Sequence, residues 1–217
     1  MAIGWKPPDM PHDHHDHTHP NRADNDMPLT YWQCMEIALR ELLVEKGITT
    51  QQEIAAQIDA MDARSPADGA RVVARAWSDP AFRTRLLQDA SAASREMGFD
   101  IGALRLIAVE NTAQVHNVIV CTLCSCYPRN LLGLSPDWYK SREYRSRVVI
   151  EPRRVLAEFG LTLPDTTTIR VHDSTADMRY VVLPARPAGT DDLTEAQLAA
   201  LVTRDSMIGT ALARPPA

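Results

Sequence analysis

Three of the four cysteines in the chain fall within six residues, in the run Cys121-Thr122-Leu123-Cys124-Ser125-Cys126. The run joins a C-x-x-C to a C-x-C, and such spacing lets one turn of chain aim three thiolates at a single ion. Crowding of this kind suits metal or redox chemistry better than disulfides between distant loops. Three chemistries fit the residues. A structural zinc site lacks a second cysteine pair and would need His116 as its fourth ligand, from a strand whose alternation can point it elsewhere. A C-x-x-C redox centre normally opens a helix, and Ser125 to Pro128 is a poor place to continue one. The third uses backbone: the amide nitrogens of Ser125 and Cys126, if deprotonated, complete five strong donors with the thiolates. That set favours a trivalent Lewis-acidic ion with one position open to water or substrate.

The elements that must position this run are legible around it. Val118-Ile119-Val120 reads as a strand leading directly into Cys121, and Leu106 to Val109 as an earlier one. Ile169-Arg170-Val171 and Tyr180 to Leu183 read as two more. A Pro/Gly-punctuated loop is expected from Tyr127 to Pro136, then a helix from Pro152 to Phe159-Gly160. Thr194 and Gln197 form a capping box for a last helix, with Leu193 placed to staple onto Leu198. Upstream the texture is helical. Met35, Ala38, Leu39 and Leu42 share one face that ends near Gly47, and Thr50 with Glu53 caps a second helix. Ser65-Pro66 opens a third, with Ala70, Val73, Ala74 and Trp77 inward. Asp79-Pro80 opens a fourth that carries Phe82 and Leu86. Cys34, alone on the first of these helices, reads as a small core residue.

These patterns predict an α+β fold: an N-terminal helical segment, then a mixed α/β domain around a small sheet. The expected divisions are a tail over 1–28, a helical region over 29–100 and a metal-binding domain over 101–217. The tail contains His12, His14, His15, His17 and His19 interspersed with Asp, a tract that binds divalent ions loosely or is simply solvated. With 217 residues, 45% hydrophobic and 24% charged, the chain reads as an ordinary globular protein. A net charge of -5 gives a nucleic-acid role no support. No apolar run approaches the ~20 residues of a membrane span, and no secretory signal is visible. The cytoplasm is therefore expected.

Val120 to Pro128 (Val-Cys-Thr-Leu-Cys-Ser-Cys-Tyr-Pro) resembles the metal motif of nitrile hydratase α subunits and of the corresponding thiocyanate hydrolase subunit, the γ subunit. The likeness runs from about Met35 to Gly209. It includes Ala76 to Pro80, Trp138 to Ser141, Tyr144 to Val149, Arg186 to Thr190 and Val202 to Gly209. The resemblance implies the layered α-β-β-α fold of that family. It implies one ion held by Cys121, Cys124, Ser125 and Cys126, with catalysis at Cys124, Ser125 and Cys126. Cys124 would be oxidised to a sulfinate and Cys126 to a sulfenate, both known oxidation states of cysteine. A β-type subunit, single or split, would supply two arginines to the oxidised sulfurs, and a maturation protein would insert the metal. Thr122 implies Co(III) rather than iron, since family members with Ser at this place are iron enzymes. The ion would polarise a nitrile for attack by the Cys126 sulfenate or an activated water, giving the amide.

The resemblance also marks Arg170, Asp173 and Arg179 as supports around the metal; ordinary strand-end polarity or subunit salt bridges would equally explain them. Two departures bear on substrate. Cobalt nitrile hydratases carry tryptophan where this chain has Arg129, and thiocyanate hydrolase has arginine there. A cation beside the metal suits an anion, whereas an interface contact is the plainer use of an arginine. The family's glutamine-containing loop is replaced by Gly102-Ala103-Leu104. Nitrile hydration is thus the first expectation and thiocyanate hydrolysis to carbonyl sulfide and ammonia the alternative. A non-enzymatic metal-binding or assembly protein on the same motif is the third.

Overall fold

The computed structural model describes residues 28–124 and 126–216; the His-rich tail and Ser125 lie outside the described residues. The chain separates into two compact units, 1–60 and 61–217. In the first, α1 (Tyr31–Glu45) starts at a reciprocal capping box between Thr30 and Gln33. It stops at Lys46, after which Gly47 takes the left-handed backbone (φ 64°) that a side chain disfavours. α2 (Gln51–Asp62) starts at the expected box: Thr50 N–H donates to Glu53 at 2.8 Å and Glu53 N–H to Thr50 Oγ1 at 3.1 Å. Neither helix contains a buried residue, and the face expected to pack inward leaves Met35, Leu39 and Leu42 exposed. Cys34, read as a core residue, is exposed too.

The second unit holds the core. α3 (Pro66–Ser78), α4 (Pro80–Gln88) and α5 (Ala90–Glu96) are capped by Ser65, Asp79 and Asp89. α3 carries Ala70, Val73 and Ala74 on its buried side, as the periodicity predicts. Four strands follow: β1 (Arg105–Glu110), β2 (Val115–Val120), β3 (Thr168–Asp173) and β4 (Met178–Leu183). They form two separate parallel pairs, β1 with β4 and β2 with β3, where the sequence suggests one small sheet. The four residues 111–114 do not fold β1 and β2 into a hairpin. Instead Asn111 turns the chain: its side-chain oxygen accepts from Asn117 N–H (2.7 Å) and its own N–H donates to Leu183 O (2.9 Å). α4 and α5 pack on β1, and β2 touches β4, so helices and strands share one core.

Val118, Ile119 and Val120 are each 0% exposed, which explains their unbroken apolar run. A buried polar knot fixes the other end of β2. His116 Nε2 meets Gly209 O at 2.7 Å and its Nδ1 meets Asn111 at 3.2 Å. Burial pushes the His116 pKa below the ordinary 6.5.

After β2 come α6 (Arg129–Leu132), inside the loop expected from Tyr127 to Pro136, then α7 (Asp137–Lys140) and α8 (Arg142–Arg147), where the sequence suggests no element. One-turn helices show too little periodicity to be read from a pattern. α9 (Pro152–Glu158), α10 (Glu195–Leu201) and α11 (Arg204–Ile208) complete the unit.

Candidate metal centre

β2 delivers Cys121 into the interior, where it is 1% exposed. The chain then turns outward, leaving Cys126 partly buried and Cys124 at the surface. The sulfurs nevertheless converge. Cys121 and Cys124 are 3.4 Å apart, Cys124 and Cys126 are 3.1 Å apart, and all three lie within 4.8 Å of one another. A metal–thiolate bond of about 2.3 Å places sulfurs about 3.3 Å apart at a right angle and about 3.8 Å apart in a tetrahedron. The 3.4 Å and 3.1 Å spacings fit adjacent right-angled positions on one ion. Among the described residues no histidine or carboxylate joins the three sulfurs. His116, the fourth ligand that zinc would need, is committed to Asn111 and Gly209. Without a metal, burial and the neighbouring thiols push the Cys126 thiol up to about 12.

Two sets of side chains shape the loop. From β3, the Asp173 carboxylate accepts from Thr122 N–H at 2.9 Å and from Thr122 Oγ1 at 2.5 Å. Asp173 can do this because it faces Val120 in the β2–β3 register, and Ser174 N–H donates to Val120 O at 2.7 Å. From the helices, Arg145 Nη1 donates to Cys124 O (3.0 Å) and Thr122 O (3.3 Å), and the Tyr139 hydroxyl donates to Cys126 O at 2.9 Å. Tyr139 is 0% exposed and packs in an aromatic cluster with Tyr127 and Tyr144. Sequence reasoning assigned no role to Tyr139 or Arg145; both stand in runs noted only as resemblances, and their signal was there.

Of the remaining sequence-predicted residues, Arg179 and Arg129 line a cleft of about 400 Å³ that also opens onto Cys124 and Cys126. Arg179 donates through Nη1 to the carbonyls of Thr175, Ala176 and Met178, and its charge favours ionisation of Cys126. Arg129 begins α6 with its side chain exposed. Lys140 lines the same cleft, and among the described residues no carboxylate does, so its described wall is cationic. Arg170 is placed differently: it sits mid-strand opposite Asn117, an odd number of residues from Asp173 and therefore on the other face of β3. There its charge helps to depress the His172 pKa, and it is not brought to the cysteines.

Residues 30–211 match the family model described as the nitrile hydratase alpha chain. The α subunit of the low-molecular-weight cobalt-containing nitrile hydratase of Rhodococcus rhodochrous is 50% identical over 82% of this chain and 87% of its own. The cobalt-containing nitrile hydratase α subunit of Pseudonocardia thermophila is 51% identical over 79% and 86%. The thiocyanate hydrolase γ subunit of Thiobacillus thioparus is 44% identical over 85% and 81%. Among solved structures, a recombinant thiocyanate hydrolase with partially modified cobalt centres superposes with a TM-score of 0.81 at 42% identity, covering 87% of this chain and 92% of that one. A double mutant of the Fe-type nitrile hydratase of Comamonas testosteroni Ni1 gives 0.79 at 44% identity, covering 88% and 94%. Cobalt and iron proteins thus share the backbone, and so do enzymes named for two different substrates.

Proposed function

Because this chain belongs to the nitrile hydratase alpha-chain family, we propose that it is the metal-bearing α subunit of a cobalt nitrile hydratase, converting nitriles to amides in a complex with β-type subunits. The observation that carries this reading is the convergence of the three cysteine sulfurs within 4.8 Å of one another. Cys121, Cys124 and Cys126, with the Ser125 amide, would hold one Co(III). The bound ion would supply a Lewis acid for the nitrile nitrogen. Thr122 and the cobalt-containing relatives favour cobalt over iron.

The chain's own residues have definable roles in this scheme. Asp173 and Arg145 would set the shape of the loop, and Tyr139 would fix the Cys126 carbonyl. Arg179 would place positive charge beside Cys126, where oxidised sulfur would carry negative charge. Arg170 would act at a distance or at an interface. A partner would complete the site and supply arginines to the sulfinate of Cys124 and the sulfenate of Cys126. The exposed apolar residues of α1 and α2, Trp32 and Leu39 among them, support such a partner, since unpaired apolar faces mark interaction surfaces. A maturation protein for metal insertion and a cytoplasmic location complete the proposal; no helix among the described residues is long and apolar enough to cross a membrane.

One observation favours a second reading, thiocyanate hydrolysis. Among the described residues, the cleft at Cys124 and Cys126 is lined by Arg129, Lys140 and Arg179 without an acidic residue, and a cationic wall suits an anionic substrate. Both readings are tested by offering the cobalt-loaded complex an aliphatic nitrile and thiocyanate in parallel. Amide without carbonyl sulfide supports the first; carbonyl sulfide and ammonia with poor nitrile turnover replaces it with the second.

A further inference from the structure

Four carbonyl oxygens along the end of β2 and the cysteine loop are held by side chains from one short stretch of sequence. Tyr144 donates to Ile119 O at 2.7 Å, Arg145 to Thr122 O at 3.3 Å and Cys124 O at 3.0 Å, and Tyr139 to Cys126 O at 2.9 Å. A trans peptide projects its carbonyl and its N–H to opposite sides. Of the four held carbonyls, that of Cys124 belongs to the peptide carrying the Ser125 nitrogen, so the Arg145 contact is the one that bears on an amide of the metal reading.

Arg145 is the one cation in this set. Its Nε is buried with no hydrogen-bond partner, and no carboxylate pairs with it among the described residues. Leaving that buried nitrogen unsatisfied costs stability, while Nη1 is held by both loop carbonyls. The charge has a use in its contact with Cys124. The Cys124 carbonyl belongs to the peptide whose nitrogen is that of Ser125, and a guanidinium on that oxygen withdraws electron density from the whole amide.

We propose that Arg145 is a positioning residue of the metal centre: clamped on the carbonyls of Thr122 and Cys124, it fixes the backbone between Cys121 and Cys124 and draws electron density out of the Cys124–Ser125 peptide. The assignment rests on the metal reading given above. It predicts that Arg145 governs how the ion is bound and how strongly the ligands donate to it, beyond any effect on folding.

The test is to co-express R145Q, R145K and the wild-type chain with the β-type partner. Cobalt per complex, the visible sulfur-to-cobalt absorption, the mass of the peptide spanning Cys121 to Cys126 and the melting temperature are then measured. The expected result is at least tenfold less cobalt in R145Q, or a displaced absorption band, at a melting temperature close to the wild type. R145K should fall between. Wild-type cobalt content and an unmoved band in both variants would overturn the assignment. So would a lowered melting temperature with the band unmoved, or failure of both variants to fold, since each makes Arg145 a structural tie. A wild-type complex without cobalt would overturn the metal reading itself, and this assignment with it.

Discussion

The carboxylate of Asp173 takes both the N–H and the hydroxyl of Thr122, across a sequence separation of 51 residues. The contact joins the end of β3 to the second residue of the cysteine loop, so one side chain fixes where the loop leaves the strand. D173N keeps the shape but replaces one acceptor oxygen with a donor. Groups that hold ligand-bearing segments typically cost 10–100-fold in metal affinity or activity when changed, so D173N is expected to lose about that factor. T122V, which keeps the N–H donor and loses only the hydroxyl, should lose less than D173N. Cobalt content and turnover of the two variants side by side check this; equal losses would disconnect the carboxylate from the effect.

Arg129 separates the two substrate readings. If its charge meets an anion in the cleft, R129A removes a charge-assisted contact worth about 1.5–3 kcal/mol. Thiocyanate turnover then falls roughly tenfold or more while nitrile turnover changes little. If Arg129 serves an interface, R129A instead weakens the association of the subunits, which sedimentation reads directly.

Acid should destabilise the fold through β2. The folded-state pKa of His116 is depressed by burial, so the folded chain binds its proton less readily than the unfolded one. The stabilising contribution is complete above the ordinary 6.5 and is lost as pH falls through the depressed value. His172, lowered by burial and by Arg170, acts in the same direction. The denaturation midpoint of the wild type is therefore expected to fall between about pH 7 and pH 5. H116Q should show a shallower slope at lower overall stability, and an unchanged slope would remove His116 from the account.

Gly209 admits no substitution. Its backbone is left-handed (φ 93°), and a Cβ there would strike the Asn117 carbonyl and Val118 on β2. G209A combines backbone strain with overpacking and should cost at least about 3 kcal/mol. Thermal unfolding against G98A, whose Cβ meets nothing within 4 Å, isolates the overpacking from the strain of positive φ that the two share.

Much of this was legible in the residues because chain-local chemistry writes itself locally. The capping pairs Thr50–Glu53 and Thr194–Gln197 form as expected, since three-residue spacing alone places donor and acceptor. The strands were found by their apolar runs, and the cysteine cluster by its crowding. What stayed hidden depends on distance in the chain. Nothing in the sequence of Arg145 says that it reaches back to Cys124, and strand pairing in two sheets is a choice made by tertiary packing. The burial expected for Met35, Leu39 and Leu42 does not occur in the chain itself. A helical stripe tells that a face is apolar, and the identity of what covers it is not encoded in the stripe.

The parallel pairing of β2 with β3 also sets an order of events. A parallel partner cannot arrive through a tight turn, so the loop after β2 has no Asp173 to grip until the chain through β3 has been made and folded back. Contacts of such long range carry a loop-closure cost that slows folding. The cysteines leave the ribosome well before their cage exists, and for that interval they are ordinary exposed thiols. Under the metal reading, anything that loads the ion would have to act on a nearly finished protein, or shelter the thiols until one is there.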